Sequence, residues 1–446
     1  MHSINSHIKK TLSLAYPVMI GQLGFMMMGV VDSIMVGRIG ATPLAAASLG
    51  NSLTLLIFII GLGTSFAVTP LVAISVGAKK YEECGIYFRQ SLIVNMSFSI
   101  VLLAVTFICA DLIVYFKQPP EVVVQAASYT KILGLSVIPT LFFHTYKQFI
   151  EGLSIMRPAM IVTLAANIIN FIGNWIFIYG HLGFPAYGLD GAGWSTFFSR
   201  VFMALLLMIY VMKTNYYKQF DVSFNFKKIN LPVIKRILSI GLPSGFQYFF
   251  EVGAFSFAVV MVGWLGTKPL AAHQIAINLA SISFMVVLGI SAAGGIRVGN
   301  AVGQKNIPET RKAGFTAILL GAGIMFTSGI SFIVLRRFLP SLYIDDKTVI
   351  SIASSLLIIA ALFQISDGVQ AVGIGILRGL TDVKIPTLIT FTAYWIIGLP
   401  VAYLLGFMLH LGVQGVWIGL LIGLTASAVM LTLRFNSRSK SEIHIK

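Results

Sequence analysis

The chain has 446 residues, 57% of them hydrophobic and only 10% charged. A soluble domain carries roughly 25% charged residues, so a mean hydropathy of +0.90 excludes an ordinary soluble globule. The net charge of +16 does not point to nucleic acid. Basic residues collect in the cytoplasmic loops of membrane proteins, and no cationic stripe interleaved with exposed aromatics stands apart from those loops.

A membrane-crossing helix needs about 20 mostly apolar residues. Loops marked by charge, Gly and Pro divide the chain into twelve such runs: 12–36, 45–75, 87–116, 126–150, 159–180, 191–213, 238–263, 271–301, 313–335, 349–377, 386–409 and 413–434. The runs are continuous over helical lengths, unlike barrel strands, which alternate over roughly 10 residues. The expected fold is therefore an all-α polytopic membrane protein.

The first ten residues are polar and lack a small-residue cleavage site, so the first run reads as a retained helix and not a removed signal. It carries Asp32 in its outer half. Of the only two cysteines, Cys84 falls in an expected basic loop and Cys109 deep in an apolar run; neither has metal-ligand spacing. The fourth run places His144, Lys147 and Glu151 on one polar face, read mainly as structural or gating contacts. The fifth carries Asn167, Asn170 and Asn174 on one face.

The polar stretch 214–232, with Lys227 and Lys228, separates residues 1–213 from 233–446 and is expected to be a cytoplasmic linker between two six-helix lobes. The seventh run carries Gln247 and Glu251 one turn apart, amid Phe246, Tyr248, Phe249 and Phe250. The tenth carries Phe363, Gln364, Asp367 and Gln370. Gly61, Gly63, Gly289, Gly294, Gly295, Gly373 and Gly375 are expected flex points, with close helix packing as the competing reading. His181, His273 and His410 have no partner spacing for a metal.

Lys and Arg fall heavily on one side of these runs: Lys9, Lys79, Lys80, Arg157, Lys213, Lys235, Arg311, Arg378 and Arg434 lie there, against Arg38, Lys131, Lys268, Arg336 and Arg337 opposite. Both termini are therefore expected in the cytoplasm.

The chain repeats itself. Met35-Val36-Gly37, with Pro43-Leu44-Ala45-Ala46, returns as Met261-Val262-Gly263, with Pro269-Leu270-Ala271-Ala272, at an offset of 261 − 35 = 226. The same offset carries Pro17 onto Pro243 and Val76-Gly77 onto Val302-Gly303. The second half of each copy repeats more faintly. Tandem copies of one helical unit, sharing an orientation, are a common way to build a secondary transporter, here expected as two pseudo-symmetric bundles around a central cleft.

An ionisable side chain inside hydrocarbon costs about 2.5 kcal/mol or more, so it faces a wet cavity or a partner. Three carboxylates fall well inside the runs, Asp32, Glu251 and Asp367, and they do not obey the repeat: Asp32 projects onto Ala258, and Glu251 onto Phe25. The scaffold is doubled but the acids are not. A carboxylate with amide oxygens suits Na⁺ or a protonation switch; the competing reading is interhelical polar glue. Two carboxylates sharing a poorly hydrated cavity can exchange a proton near neutrality, unless Arg297 or a Lys neutralises them. Aromatic and Met walls suit flat cationic compounds. No Gly-x-x-x-x-Gly-Lys-Ser/Thr, zinc helix or Gly-x-Ser-x-Gly motif occurs, so an enzyme or ATPase is not expected.

Taken together, Pro17 before Asp32-Ser33-Ile34-Met35-Val36-Gly37, the Pro-Leu-Ala-Ala segment in both lobes, Glu251, Asp367 and the following Arg378-Gly379 give a chain that resembles the multidrug and toxic compound extrusion (MATE) transporters, NorM-like branch, over essentially its whole length. The resemblance implies export of organic cations across the cytoplasmic (inner) membrane by alternating access, driven by Na⁺ or H⁺, with no other cofactor and no nucleic-acid partner. A monomer among membrane lipids is expected. It also implies a first-lobe cation or proton site at Asp32, Asn170 and Asn174, with Thr196 a looser candidate, and a second-lobe site at Glu251 and Asp367, near Gln247. That branch often has Tyr one turn before the tenth-helix Asp; here it is Phe363, which keeps the ring and loses the hydroxyl. The rival function is a lipid-linked precursor flippase of related architecture, which would favour a cationic cavity.

Overall fold

The computed structural model describes residues 4–116, 118–222 and 229–440. Twelve helices among them are long and apolar enough to cross a membrane. They are α1 (Asn5–Gly37), α2 (Ala41–Gly77), α3 (Tyr81–Phe116), α4 (Pro120–Gly152), α5 (Arg157–Tyr179), α6 (Gly188–Lys213), α7 (Leu231–Gly263), α8 (Thr267–Gly303), α9 (Ile307–Val334), α10 (Lys347–Gly379), α11 (Lys384–Met408) and α12 (Gly412–Arg438). No strand occurs among the described residues. Ile100, Ile168, Leu319, Val334 and Leu433 are exposed, as expected of side chains that meet lipid tails and not water.

Several helices start earlier than the apolar runs predict, α4 at Pro120, α7 at Leu231 and α9 at Ile307 among them. α1 begins at Asn5 and not at 12, because its polar first turns are tied down. His7 and Thr11 are buried, and Arg297 of α8 donates to the His7 carbonyl at 2.9 Å, to Thr11 Oγ1 at 2.7 Å and to His7 Nδ1 at 2.7 Å. Arg297 also pairs with Glu309 at 3.3 Å, so it does not neutralise the intramembrane acids. Cys84 is not in a loop: it lies in α3, fully buried, after the helix starts on Tyr81-Glu82-Glu83, whose acids suit the positive end of a helix dipole.

By packing, the chain divides into two compact units. One runs from Ile20 to Gly245; the other joins the start of the chain, up to Met19, to Phe246 and beyond. The borders fall inside α1 and α7, just past Pro17 and Pro243, and stand 245 − 19 = 226 residues apart, the offset of the sequence repeat. In the first unit α5 lies along α6, and α4 touches α2, α3 and α6, over a core that includes Val36, Ala46, Tyr129, Leu133 and Ile178. In the second, α10 packs on α8, α9 and α12, over a core that includes Ala258, Met261, Leu357, Phe363, Tyr394 and Trp417. Within the expected linker, Asn215–Phe220 forms a 3₁₀ turn with Tyr217 and Phe220 buried, and Asp221 pairs with Arg89 at 2.5 Å. Residues 223–228, including Lys227 and Lys228, lie outside the described residues.

The backbone follows the repeat more closely than the side chains do. Left-handed residues recur in pairs: Gly40 (φ +137°) with Gly266 (φ +116°), Lys79 (+58°) with Lys305 (+54°), Ser154 (+64°) with Thr381 (+57°), and Leu182 (+56°) with His410 (+55°). The offsets are 226, 226, 227 and 228, so even the faint second half of the repeat keeps its turns. At Gly40 and Gly266 the conformation is one that L side chains rarely adopt, which is why glycine precedes Ala41 and Thr267.

The glycines expected to flex serve packing instead. A Cβ at Gly63 would overlap the Gly245 backbone, one at Gly295 would lie 2.6 Å from the Gly375 carbonyl oxygen, and one at Gly294 would lie 2.8 Å from Ala317 Cβ. α2 does break, at Phe66-Ala67, between Ala41–Ser65 and Val68–Gly77. At the start of α10, Asp346 accepts from the Thr348 and Val349 amides at 2.8 and 3.3 Å and meets Lys268 at 3.1 Å. The Lys268 bond, helped by the two amides, holds its carboxyl below the usual range.

Candidate ion-binding sites

Three helices of the first unit converge on Asp32. α5 presents Asn170 and Asn174 on one face, since residues four apart stack along a helix; α6 adds Thr196. Asn174 Nδ2 donates to Asp32 Oδ1 at 2.6 Å and more weakly to Asn170 Oδ1 at 3.4 Å. Thr196 Oγ1 donates to Asp32 Oδ2 at 3.1 Å. Asp32, Thr196, Asn170 and Asn174 are all buried. Asn167, on the same face two turns from Asn174, contributes no hydrogen bond to Asp32: its amide returns to the Thr163 carbonyl at 3.0 Å. One turn beyond Thr196, Arg200 donates to Ser136 Oγ at 2.5 Å and lies over the Phe58 ring at 5.8 Å. It feels the Asp32 charge without forming an ion pair with it.

The second unit holds the other two acids. Glu251 on α7 and Asp367 on α10 are buried and close enough to repel each other. Gln247, Phe363, Gln364 and Gln370 are buried on the same two helices. Phe363 packs its ring 6.0 Å from Phe255 and 5.8 Å from Trp417. The positive group nearest in effect to Glu251 is Arg378, which the motif contained but whose role its sequence position did not disclose. Gln370 stands beside Glu251, yet its amide reaches no partner at hydrogen-bond distance.

None of the three acids forms an ion pair among the described residues. Nor do three His, Cys, Asp or Glu side chains converge there on one point. Either site would therefore have to complete a cation's shell from neutral oxygens. The first has them: Asn174 Oδ1 is buried with no hydrogen-bond partner, beside the Asp32 carboxylate and the Asn170 carbonyl. An all-oxygen set of this kind suits a hard cation, and its single carboxylate balances one positive charge.

The polar face of α4 stands apart from both. Lys147 and Glu151, both buried, approach to 3.7 Å, and Lys147 lies over Phe25 at 5.8 Å, with His144 stacked on the same ring at 5.8 Å. His273 accepts from Trp417 Nε1 at 3.0 Å, a packing role and not a metal one.

Fold and sites together define a multi-pass helical membrane protein built on a repeat, with a buried acid group in each compact unit. The MatE family model matches residues 17–176 and again 243–404, one match per copy and 243 − 17 = 226 residues apart. The multidrug resistance protein NorM of Vibrio vulnificus (strain YJ016) is 34% identical over 406 residues, covering 91% of this chain and 89% of that one. The multidrug resistance protein MdtK of Yersinia pseudotuberculosis is 35% identical over 431 residues, covering 96% and 94%. Among solved structures, an outward-facing multidrug resistance MATE family transporter matches with a TM-score of 0.90 at 21% identity, over 99% of this chain and 97% of that one. A eukaryotic MATE transporter matches at 0.89 and 20% identity, over 98% of each. The chain belongs to the MatE family: it is a membrane transporter and not an enzyme.

Proposed function

We propose that this transporter exports small organic cations across the cytoplasmic membrane in exchange for Na⁺ or H⁺, by alternating access, as a monomer with both termini in the cytoplasm. The observation that carries the reading is Asp32. Its two oxygens are held by neutral donors, Asn174 at 2.6 Å and Thr196 at 3.1 Å, so its charge is oriented but not cancelled. A buried carboxylate left in that state is suited to take up and release a small cation. Glu251 and Asp367 offer a second such place. For uptake to drive export, the ion and the organic cation must differ in their preference for the inward- and outward-open states. The membrane potential adds about 2.3 kcal/mol per charge per 100 mV. A lipid-linked precursor flippase is not favoured: the buried acids suit a cationic cargo, and the relatives above carry the names of multidrug resistance proteins.

The test is ethidium efflux in everted vesicles under an imposed Na⁺ or pH gradient. One of the two gradients should drive it. Asp32→Asn should abolish it, and Glu251→Gln with Asp367→Asn should impair it severely. Movement of ethidium under neither gradient would overturn the reading.

A further inference from the structure

Three charged side chains at one end of the second unit have no counterpart in the first copy and no part in the buried acid sites. Asp382 stands in the turn between α10 and α11, and Arg434 and Arg438 on the last turns of α12. Arg434 Nε donates to Asp382 Oδ2 at 2.8 Å, and Arg438 Nε lies 3.5 Å from the same oxygen. The Asp382 side chain is 9% exposed, against 31% for Arg434 and 46% for Arg438. The acid thus sits beneath two guanidinium groups that reach the surface. Both arginines use only Nε on it, and their Nη ends form no hydrogen bond or ion pair among the described residues. Two positive charges against one negative leave one positive charge over.

The fold does not require this cluster. Thr381 and Ser154 are left-handed partners in the repeat, 381 − 154 = 227 apart. At that offset Asp382 answers Ile155, and both close the same backbone bond, Asp382 N to the Leu377 carbonyl at 3.0 Å and Ile155 N to the Ile150 carbonyl at 2.9 Å. The turn forms as well without the acid. Gly412 and Gly188 are likewise left-handed, 412 − 188 = 224 apart, which sets Arg434 against Tyr210 and Arg438 against Thr214. A helix C-terminus favours a basic residue, but α6 ends on Lys213 alone. The end of α12 is capped by Arg311 of α9, which donates to the Asn436 carbonyl at 3.1 Å, to Asn436 Oδ1 at 2.9 Å and to Ser439 Oγ at 3.0 Å. Arg311 holds the last turn in place, and Arg434 and Arg438 are left to meet something else.

The surroundings indicate what. The first turns of α11 pack on α12, and both helices turn apolar side chains outward beside the cluster: Ile385 and Leu388 on α11, Val429 and Leu433 on α12 are exposed. Leu433 directly precedes Arg434. Hydrocarbon-facing surface that ends on spare guanidinium nitrogens matches a molecule with acyl chains and an anionic head. Guanidinium groups pair with phosphate oxygens through two parallel bonds. A phosphodiester carries one negative charge, the charge that the cluster lacks.

We propose that Arg434 and Arg438, aligned by Asp382, bind the phosphate of an anionic glycerophospholipid whose acyl chains lie along α11 and α12. A zwitterionic lipid brings its own positive group beside the phosphate and gains less there. The site does not depend on which ion drives export.

The test is native mass spectrometry of the purified, delipidated full-length protein in detergent, titrated with dioleoylphosphatidylglycerol or dioleoylphosphatidylcholine, with thermal stability measured on the same samples. The wild-type protein should half-saturate with phosphatidylglycerol at a concentration about fivefold below that for phosphatidylcholine. Arg434→Gln with Arg438→Gln should raise the phosphatidylglycerol midpoint about tenfold and move the phosphatidylcholine midpoint less than about twofold. Arg438→Gln alone keeps the bond that covers Asp382. It should raise the midpoint about threefold, and it serves as the test if the double variant does not fold. Lys440→Gln removes a neighbouring charge outside the cluster and should leave the midpoint within about twofold. Equal losses in Lys440→Gln and Arg438→Gln would mean diffuse surface charge and overturn the proposal, as would an unchanged midpoint in the arginine variants. A thermal shift with inorganic phosphate equal to that with phosphatidylglycerol would make this a free-anion site and overturn the lipid assignment.

Discussion

Asn174 reaches 142 positions back along the chain to place its amide nitrogen 2.6 Å from a carboxylate oxygen of Asp32. A hydrogen bond to a charged group contributes about 1.5–3 kcal/mol. Asn174→Ala removes this donor together with the free Asn174 Oδ1. Coupled efflux should fall at least tenfold, with the half-saturating cation concentration raised and the amount of folded protein unchanged. Asn174→Asp, which keeps the shape but adds a second negative charge, should retain cation binding and shift its pH dependence. Vesicle transport at fixed protein level distinguishes the two.

Arg200 holds a fixed positive charge near Asp32 without cancelling it. The charged or titratable groups that face the guanidinium are Asp32, Tyr129 and His144, with Lys147 beyond His144. A cation entering the Asp32 site is opposed by that charge. Arg200→Gln should therefore let the site fill at a cation concentration about three- to tenfold lower, and release should slow; Arg200→Lys should stay near wild type. If the Gln and Lys variants behave alike, the side chain acts by packing on Phe58 and not by charge.

Gly63→Val should remove folded protein from the membrane, because any Cβ there would overlap the backbone of Gly245. Gly323→Ala is the control. A Cβ at Gly323 meets nothing within 4 Å, and alanine favours a helix over glycine by about 0.8–1 kcal/mol. Fluorescence-detected gel filtration after heating should rank Gly323→Ala at or above wild type and Gly63→Val far below.

Arg297 ties the first turns of α1 to α8 and α9 through His7, Thr11 and Glu309. Truncating one partner of a buried, hydrogen-bonded charge costs about 2–5 kcal/mol. Arg297→Gln should speed hydrogen exchange across residues 5–12 while leaving α5 and α6 protected. Uniform acceleration throughout the protein would mean that the contact holds more than this segment.

The twelve spans and the doubling were readable from hydropathy and from one repeated segment, since a membrane helix advertises itself by length and apolarity. Spacing set Asn167, Asn170 and Asn174 on one face of α5, and family likeness singled out Asn170 and Asn174 with Asp32 and, more loosely, Thr196; the structure brings those four together. What the sequence hid depends on partners far away. The helical start of α1 is invisible in polar residues whose anchor, Arg297, lies 290 positions from His7. The burial of Cys84 in α3 is masked by charged neighbours.

The paired left-handed residues have a consequence for how such proteins change over time. Where Leu182 answers His410 and Ser154 answers Thr381, the bends of the chain are kept while the letters differ. Ancestry in this architecture is written in turns, so each duplicate was free to acquire or discard its own acid without disturbing the frame. Selectivity for one ion over another can then evolve on one side of the molecule at a time.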